Sequence, residues 1–138
     1  MKYTQIDRTN CMQIILQEFP TFQDRWNSHL DSWTLPFDRP VALDVREFTE
    51  FAIELIRQSI DTEIDRLSEI IELMLVEGDS VINYTFRMMF LKNIAECREL
   101  DRVSIDRFIA KFQPATAYYC KALDIFLGDI PLVLPEDT

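Results

Sequence analysis

Residues 61–97 read DTEIDRLSEIIELMLVEGDSVINYTFRMMFLKNIAEC, and the spacing of their apolar side chains decides the fold class. Ile64, Leu67, Ile70, Ile71 and Met74 recur at intervals of three and four, the period of one face of an α-helix. This spacing predicts a helix over 61–77. Gly78 stands where the left-handed residue that ends a helix belongs, and Asp79 is placed to cap the next one. From Ser80 to Cys97 the chain is apolar nearly all round, with Val81, Ile82, Phe86, Met88, Met89, Phe90, Leu91 and Ile94. A helix of that kind is expected to be central and buried.

The same periodicity extends in both directions. Upstream, Phe48, Phe51, Ala52, Leu55 and Ile56 line one face of another helix, and Asp44 followed by Glu47 has capping-box spacing. Residues Thr34 to Val41, which include Pro36 and Pro40, read as a loop with apolar Leu35 and Phe37 interspersed. Before it, Thr21 is placed to cap a short helix carrying Phe22, Trp26, Leu30 and Trp33. Ile6, Cys11, Ile14, Ile15 and Leu16 suggest a first helix that closes before Pro20, since the residue preceding a proline resists helical geometry. Downstream, Asp101 or Ser104 opens a helix ending near Phe112. Pro114 suits the first turn of a last one, expected to end at Gly128, and an apolar tail follows over Ile130 to Pro135.

With only 2 glycines among 138 residues, the chain has little material for hairpin turns. The expected fold is all-α, a single compact domain over residues 1–138 with six to seven helices in stacked pairs. A hydrophobic share of 48%, including 10 Phe, is enough to build its core without disulfides or metals.

Acidic residues number 24 against 14 basic ones, for a net charge of -10. Nucleic acid would be repelled by such a surface, whereas a positively charged protein would be drawn in. The charge is also concentrated. Between Asp44 and Asp79 there are 11 acidic residues against Arg46, Arg57 and Arg66, so this segment alone holds -8. Glu47, Glu50 and Glu54 fall on the side of their helix opposite Phe48, and Asp61, Asp65, Glu69 and Glu72 repeat the pattern on the next helix. A solvated face that aids solubility is the plain reading of such runs. Their concentration in one helix pair instead favours a docking surface for a basic partner, with Glu47, Glu50, Glu54, Asp65, Glu69 and Glu72 as its expected residues.

Other chemistries find little support. His29 is the single histidine, too few for the usual zinc and di-iron sites, and no spacing pairs it with Cys11, Cys97 or Cys120. The cysteines form no Cys-x-x-Cys motif and read as reduced, mostly buried thiols of a cytosolic protein. Two glycines leave no room for a phosphate-binding loop. Paired carboxylates carry no information in a chain so rich in acids. The expectation is therefore a binding protein and not an enzyme, with no cofactor, no metal and no membrane segment. A deep pocket around His29 would argue the opposite. Trp26 and Trp33, seven residues apart, should share a helical face with Leu30 and pack in the core, or else serve as an interface anchor.

The stretch from Ile70 to Asn83, with Glu77-Gly78-Asp79 at its turn and Phe90-Leu91 beyond, resembles a group of small acidic bacterial helical proteins. Gln113-Pro114-Ala115-Thr116, Tyr118 and Leu123-Asp124-Ile125-Phe126 fit the same group, as do Phe19-Pro20, Phe22, Trp26 and Trp33. Gln113 replaces the group's usual glycine and Thr116 its serine. Many members look like immunity proteins of polymorphic toxin or contact-dependent inhibition systems. The resemblance implies a partner protein that neutralises a cognate toxin, and a basic nuclease would suit the charge. The positions that carry it read as structural: Gly78 and Asp79 as caps, and Asn83 as a buried hydrogen-bonding side chain. A helical adaptor that binds a regulatory partner is the alternative expectation.

Overall fold

The computed structural model describes residues 5–126, and every described element is helical apart from one isolated bridge. In chain order these are α1 (Cys11–Glu18), a 3-10 turn (Pro20–Phe22), α2 (Gln23–Ser32), α3 (Val41–Gln58), α4 (Asp61–Glu77) and α5 (Ser80–Thr85). A π-helical segment (Phe86–Leu91) continues into α6 (Lys92–Ala95), and α7 (Arg102–Ala110) and α8 (Pro114–Ala122) complete the set. The all-α expectation holds. Stacking of pairs is visible too: α3 and α4 are neighbours, α7 packs on α3 and α8 packs on α4.

The core follows the apolar stripes. Phe48 of α3 lies against Phe90 with ring centroids 5.6 Å apart, and Phe90 lies 5.4 Å from Phe86. Phe19 and Phe22 close the other side of Phe48 at 5.7 and 5.6 Å. All five rings are buried. Each such side chain contributes about 2 kcal/mol of transfer free energy, so this aromatic centre is the principal adhesive of the fold. The π segment serves it directly. Its wider turn, marked by the Lys92 N–H donating to the Arg87 carbonyl five residues back, leaves Phe86, Phe90 and Leu91 all facing inward. The rod from Ser80 to Ala95 is nevertheless not buried all round, because Val81 and Tyr84 lie exposed.

Local chemistry explains where the helices stop and where the sequence reading slipped. Asp79 caps α5 as expected, its carboxylate accepting from the Ile82 N–H at 2.9 Å, and Asp101 caps α7 through Ser104 at 2.8 Å. Gly78 is not left-handed: its φ is -70 and its ψ 146. Glycine is needed there for space, since a Cβ would come within 2.3 Å of the Met74 carbonyl oxygen and 2.7 Å of Ile82 Cγ2. The left-handed helix end belongs instead to Ser59 after α3, with φ 56. Ile6 is not helical but extended. Its N–H donates to the Glu77 carbonyl at 2.9 Å, and its carbonyl accepts from Asp79 N–H at 2.8 Å. Thr21 sits inside the 3-10 turn and caps nothing. The final helix ends at Ala122, followed by turns in which Asp124 and Phe126 take positive φ. Gly128 and the tail Ile130 to Pro135 lie outside the described residues.

Candidate functional site

Proline at 40 sets the start of α3 at Val41, so Asp44 falls one turn inside the helix and is not its cap. Burial on that inner turn makes it the centre of an ion network. His29 Nε2 lies 2.8 Å from Asp44 Oδ1, Arg39 donates to both carboxylate oxygens, and the Arg39 guanidinium rests 5.3 Å over the Trp26 ring. His29 Nδ1 faces Glu47 at 3.7 Å. The imidazole is thus held between two carboxylates, with the Trp26 ring tilted against it at 5.5 Å. A hollow of about 270 Å3 opens beside Asp44, walled by Arg8, Thr9, Asp38, Arg39 and Val41. Both of its arginines already contact aspartates, Arg8 with Asp38 at 3.5 Å and Arg39 with Asp44. This arrangement ties α2 and the 33–40 loop onto α3. Of the two tryptophans, only Trp26 is core. Trp33 lies past the end of α2, half-buried, with its indole N–H bound to the Phe37 carbonyl at 2.9 Å and the two rings edge-on at 5.7 Å.

The six expected docking residues divide into two groups. Glu47 and Glu50 are brought together by Arg25 of α2, at 3.4 and 3.1 Å, and Glu54 meets Arg57 at 3.7 Å. Glu50 and Glu54 line a hollow with Arg25, Ile53 and Glu99. On α4, Asp65 pairs with Lys111 of α7's C-terminal end at 3.0 Å. Glu72 does something the sequence reading missed: its carboxylate accepts from the N–H groups of Ala115 and Thr116 and from the Thr116 hydroxyl, each at 2.9 Å. It caps α8 from another helix, satisfying N–H groups that the helix itself leaves free and adding a favourable charge at its positive end. The signal for this lay in Pro114, which marks a helix start whose Gln113 supplies no side-chain cap.

Glu69 differs from the rest. It is exposed on α4, and among the described residues no cation meets it; none meets Glu77 either, which is half-buried. Together with Glu72, Leu73, Val76 and Gln113 they line a shallow, open hollow of about 270 Å3. Asn83 makes the hydrogen bonds its sequence position suggested, donating to the Leu75 carbonyl at 2.8 Å and accepting from Arg87 Nε at 2.7 Å, but it is half-buried and not buried. Arg87 is sandwiched between Tyr84 and Tyr119, at 5.5 and 5.4 Å from their ring centres.

Two of the three thiols, Cys11 and Cys120, are buried, and Cys97 is half-buried. Desolvation pushes Cys11 up to about 12, with the negative charges of Asp44, Asp79 and Asp7 acting in the same direction, and burial pushes Cys120 up to about 12. Neither is a ready nucleophile at neutral pH. Among the described residues no group of His, Cys, Asp and Glu is arranged to hold a metal ion, and no helix is long and apolar enough to cross a membrane.

Residues 12–128 match a family described as Domain of unknown function (DUF7674). The chain belongs to that family. No curated protein and no solved structure matches it. The match spans α1 to α8, so the helices that carry both acidic stripes are part of the family domain.

Proposed function

We propose that this member of the family is a cytoplasmic binding protein, not an enzyme, that captures and neutralises a positively charged partner protein. The partner it suits best is a basic, nuclease-type toxin domain, in the manner of an immunity protein. The observation that carries this reading is the unequal disposal of charge. Asp44, Glu47, Glu50, Glu54, Glu63 and Asp65 each meet an arginine, lysine or histidine. Among the described residues, exposed Glu69 and half-buried Glu77, by contrast, meet none. An uncompensated negative field on a protein of net charge -10 speeds the encounter with a cationic surface and makes it salt-sensitive.

Exposed aromatic and aliphatic side chains supply what charge alone does not. Tyr84 and Tyr118 are each about half exposed, as are Val76 and Val81. Residues of that kind set the off-rate of a complex while the rim charges set its on-rate.

Co-expression with the product of the adjacent gene tests the reading. A growth-inhibiting, basic product whose toxicity this chain relieves is the expected result, with association slowed as salt is raised. An acidic neighbour, or toxicity unchanged by co-expression, would sink it. Reversing Glu47, Glu50 and Glu54 to lysine separates the two stripes, because these acids already have cationic partners. Protection should then fall less than after reversal of Glu69 and Glu77.

A further inference from the structure

Arg87 differs from the other cations of this acidic chain. It is the second residue of the π-helical segment, and its carbonyl accepts the wide-turn hydrogen bond from Lys92. Turns of that kind are rare in helices and gather at functional sites. Helical spacing sets the surroundings of its side chain, with Asn83 four residues back and Tyr84 three back on the same face. Asn83 is itself anchored to the Leu75 carbonyl and accepts from Arg87 Nε at 2.7 Å. Tyr84 and, from α8, Tyr119 rest against the guanidinium at 5.5 and 5.4 Å. Among the described residues no carboxylate meets this group, whereas Arg8, Arg25, Arg39, Arg57, Arg66 and Arg102 each meet one. Its terminal nitrogens are not sealed in. Ser68 Oγ is the one buried side-chain polar atom without a partner among the described residues, so the free Nη1 and Nη2 reach the surface.

We propose that the outward edge of Arg87 binds one carboxylate of the partner protein, carried by an aspartate or glutamate side chain. Nη1 and Nη2 present two parallel N–H donors that match both oxygens of a carboxylate, and Asn83 leaves that end free by taking Nε. The two rings hold the fork in place before anything binds, so little side-chain freedom is lost on docking. Tyr84, Val81 three residues before it, and Tyr118, edge-on to Tyr119 at 5.5 Å, are each about half exposed. They give the partner an apolar seat around the charge, and arginine and tyrosine are the residue types that anchor protein interfaces. The inference rests on the reading of this chain as a binding protein and not on the toxin assignment. On a partner that is basic overall, one acid opposite Arg87 fixes the register, because a shift would set it against the carboxylates of this chain.

The test does not need the partner. N-acetyl-glutamate N-methylamide is titrated into the full chain carrying 15N-arginine, with N-acetyl-glutamine N-methylamide as its uncharged isostere, and the Nε–H signals are followed. The glutamate probe is expected to shift the Arg87 signal saturably while those of the exposed Arg46 and Arg98 stay in place, and the glutamine probe to bind about tenfold more weakly. Arg87→Lys keeps the charge and loses the fork, so it should weaken the glutamate probe by a similar factor, read from the Tyr84 and Tyr119 ring signals, with the melting temperature retained. Tyr119→Leu should weaken it in part, since the guanidinium is then held less firmly. Equal binding of the two probes, shifts shared by every exposed arginine, or binding undiminished by Arg87→Lys would overturn the proposal. So would saturable binding of methyl phosphate at Arg87 with none of glutamate, which would assign the edge to a phosphoryl group. Glutamate binding with no toxin relieved leaves the Arg87 edge standing and removes the toxin reading, whereas a toxin relieved equally by Arg87→Lys and by the unaltered chain removes the edge alone.

Discussion

α3 and α4 both carry acidic residues at helical spacing, yet the fold treats them differently. α3 has four acids to two arginines, and each of the four lies against a cation: Asp44 with Arg39 and His29, Glu47 and Glu50 with Arg25, Glu54 with Arg57. α4 has six acids to one arginine, and its neighbours supply one lysine, Lys111. Asp61 opens α4, Glu63 and Asp65 are paired, Glu72 caps α8, and Glu69 and Glu77 are left over. Negative charge at regular spacing is thus fastened throughout on α3 and only in part on α4. Only partners in space distinguish the two.

Substitutions should expose this difference as a graded series. The largest effect belongs to Asp44, whose removal would leave Arg39 and His29 facing each other without their shared anion. Asp44→Ala should cost about 3 kcal/mol in chemical denaturation, in the range for a broken buried pair. A loss below 1 kcal/mol would mean that α3 does not depend on the network. Glu72→Ala comes next, at about 2 kcal/mol, because two N–H groups and a hydroxyl at the head of α8 lose their acceptor. Glu72→Gln, which keeps one oxygen, should recover part of that. Equal losses for the two variants would show that charge matters and the hydrogen bonds do not.

Smaller effects sharpen the contrast further. Arg25→Ala should cost less than about 1 kcal/mol, since its bonds to Glu47 and Glu50 are exposed to solvent. Glu69→Gln and Glu77→Gln should leave stability unchanged or raise it by a few tenths of a kcal/mol, as like charges along a helix are relieved. A clear drop in the melting temperature of either variant would place these carboxylates among the structural ones. Ser68, buried on α4 with its hydroxyl unpartnered, gives an independent check on the same helix. Ser68→Ala should be neutral or stabilising by up to about 1 kcal/mol.

The helices were legible in the sequence because burial writes a period into each of them. Residues 61–77 were read to the residue, and Asp79, Asp101 and Asn83 act as their positions suggested. What escaped was set by contacts between distant segments. Gly78 has the residue type of a left-handed cap, but Met74 and Ile82 crowd it and Ile6 lies alongside, so space and not φ explains it. Asp44 and Glu47 have capping-box spacing, but Pro40 starts the helix earlier and turns Asp44 inward. Glu72 belonged to the expected docking stripe, but the packing of α8 on α4 takes its oxygens. Spacing along one helix shows which side chains share a face. It does not show what comes to rest against that face.

The clasp of Ile6 between the backbones of Glu77 and Asp79 bears on how the molecule assembles as it is made. A segment near the start of the sequence finds its hydrogen-bond partners only after α4 and the turn beyond it have left the ribosome. Until then Cys11 of α1 lacks Met74 of α4, whose sulfur lies 3.8 Å from its own. The Ile6 strand is therefore locked in place only once the distant turn from Glu77 to Asp79 is there to pair with it.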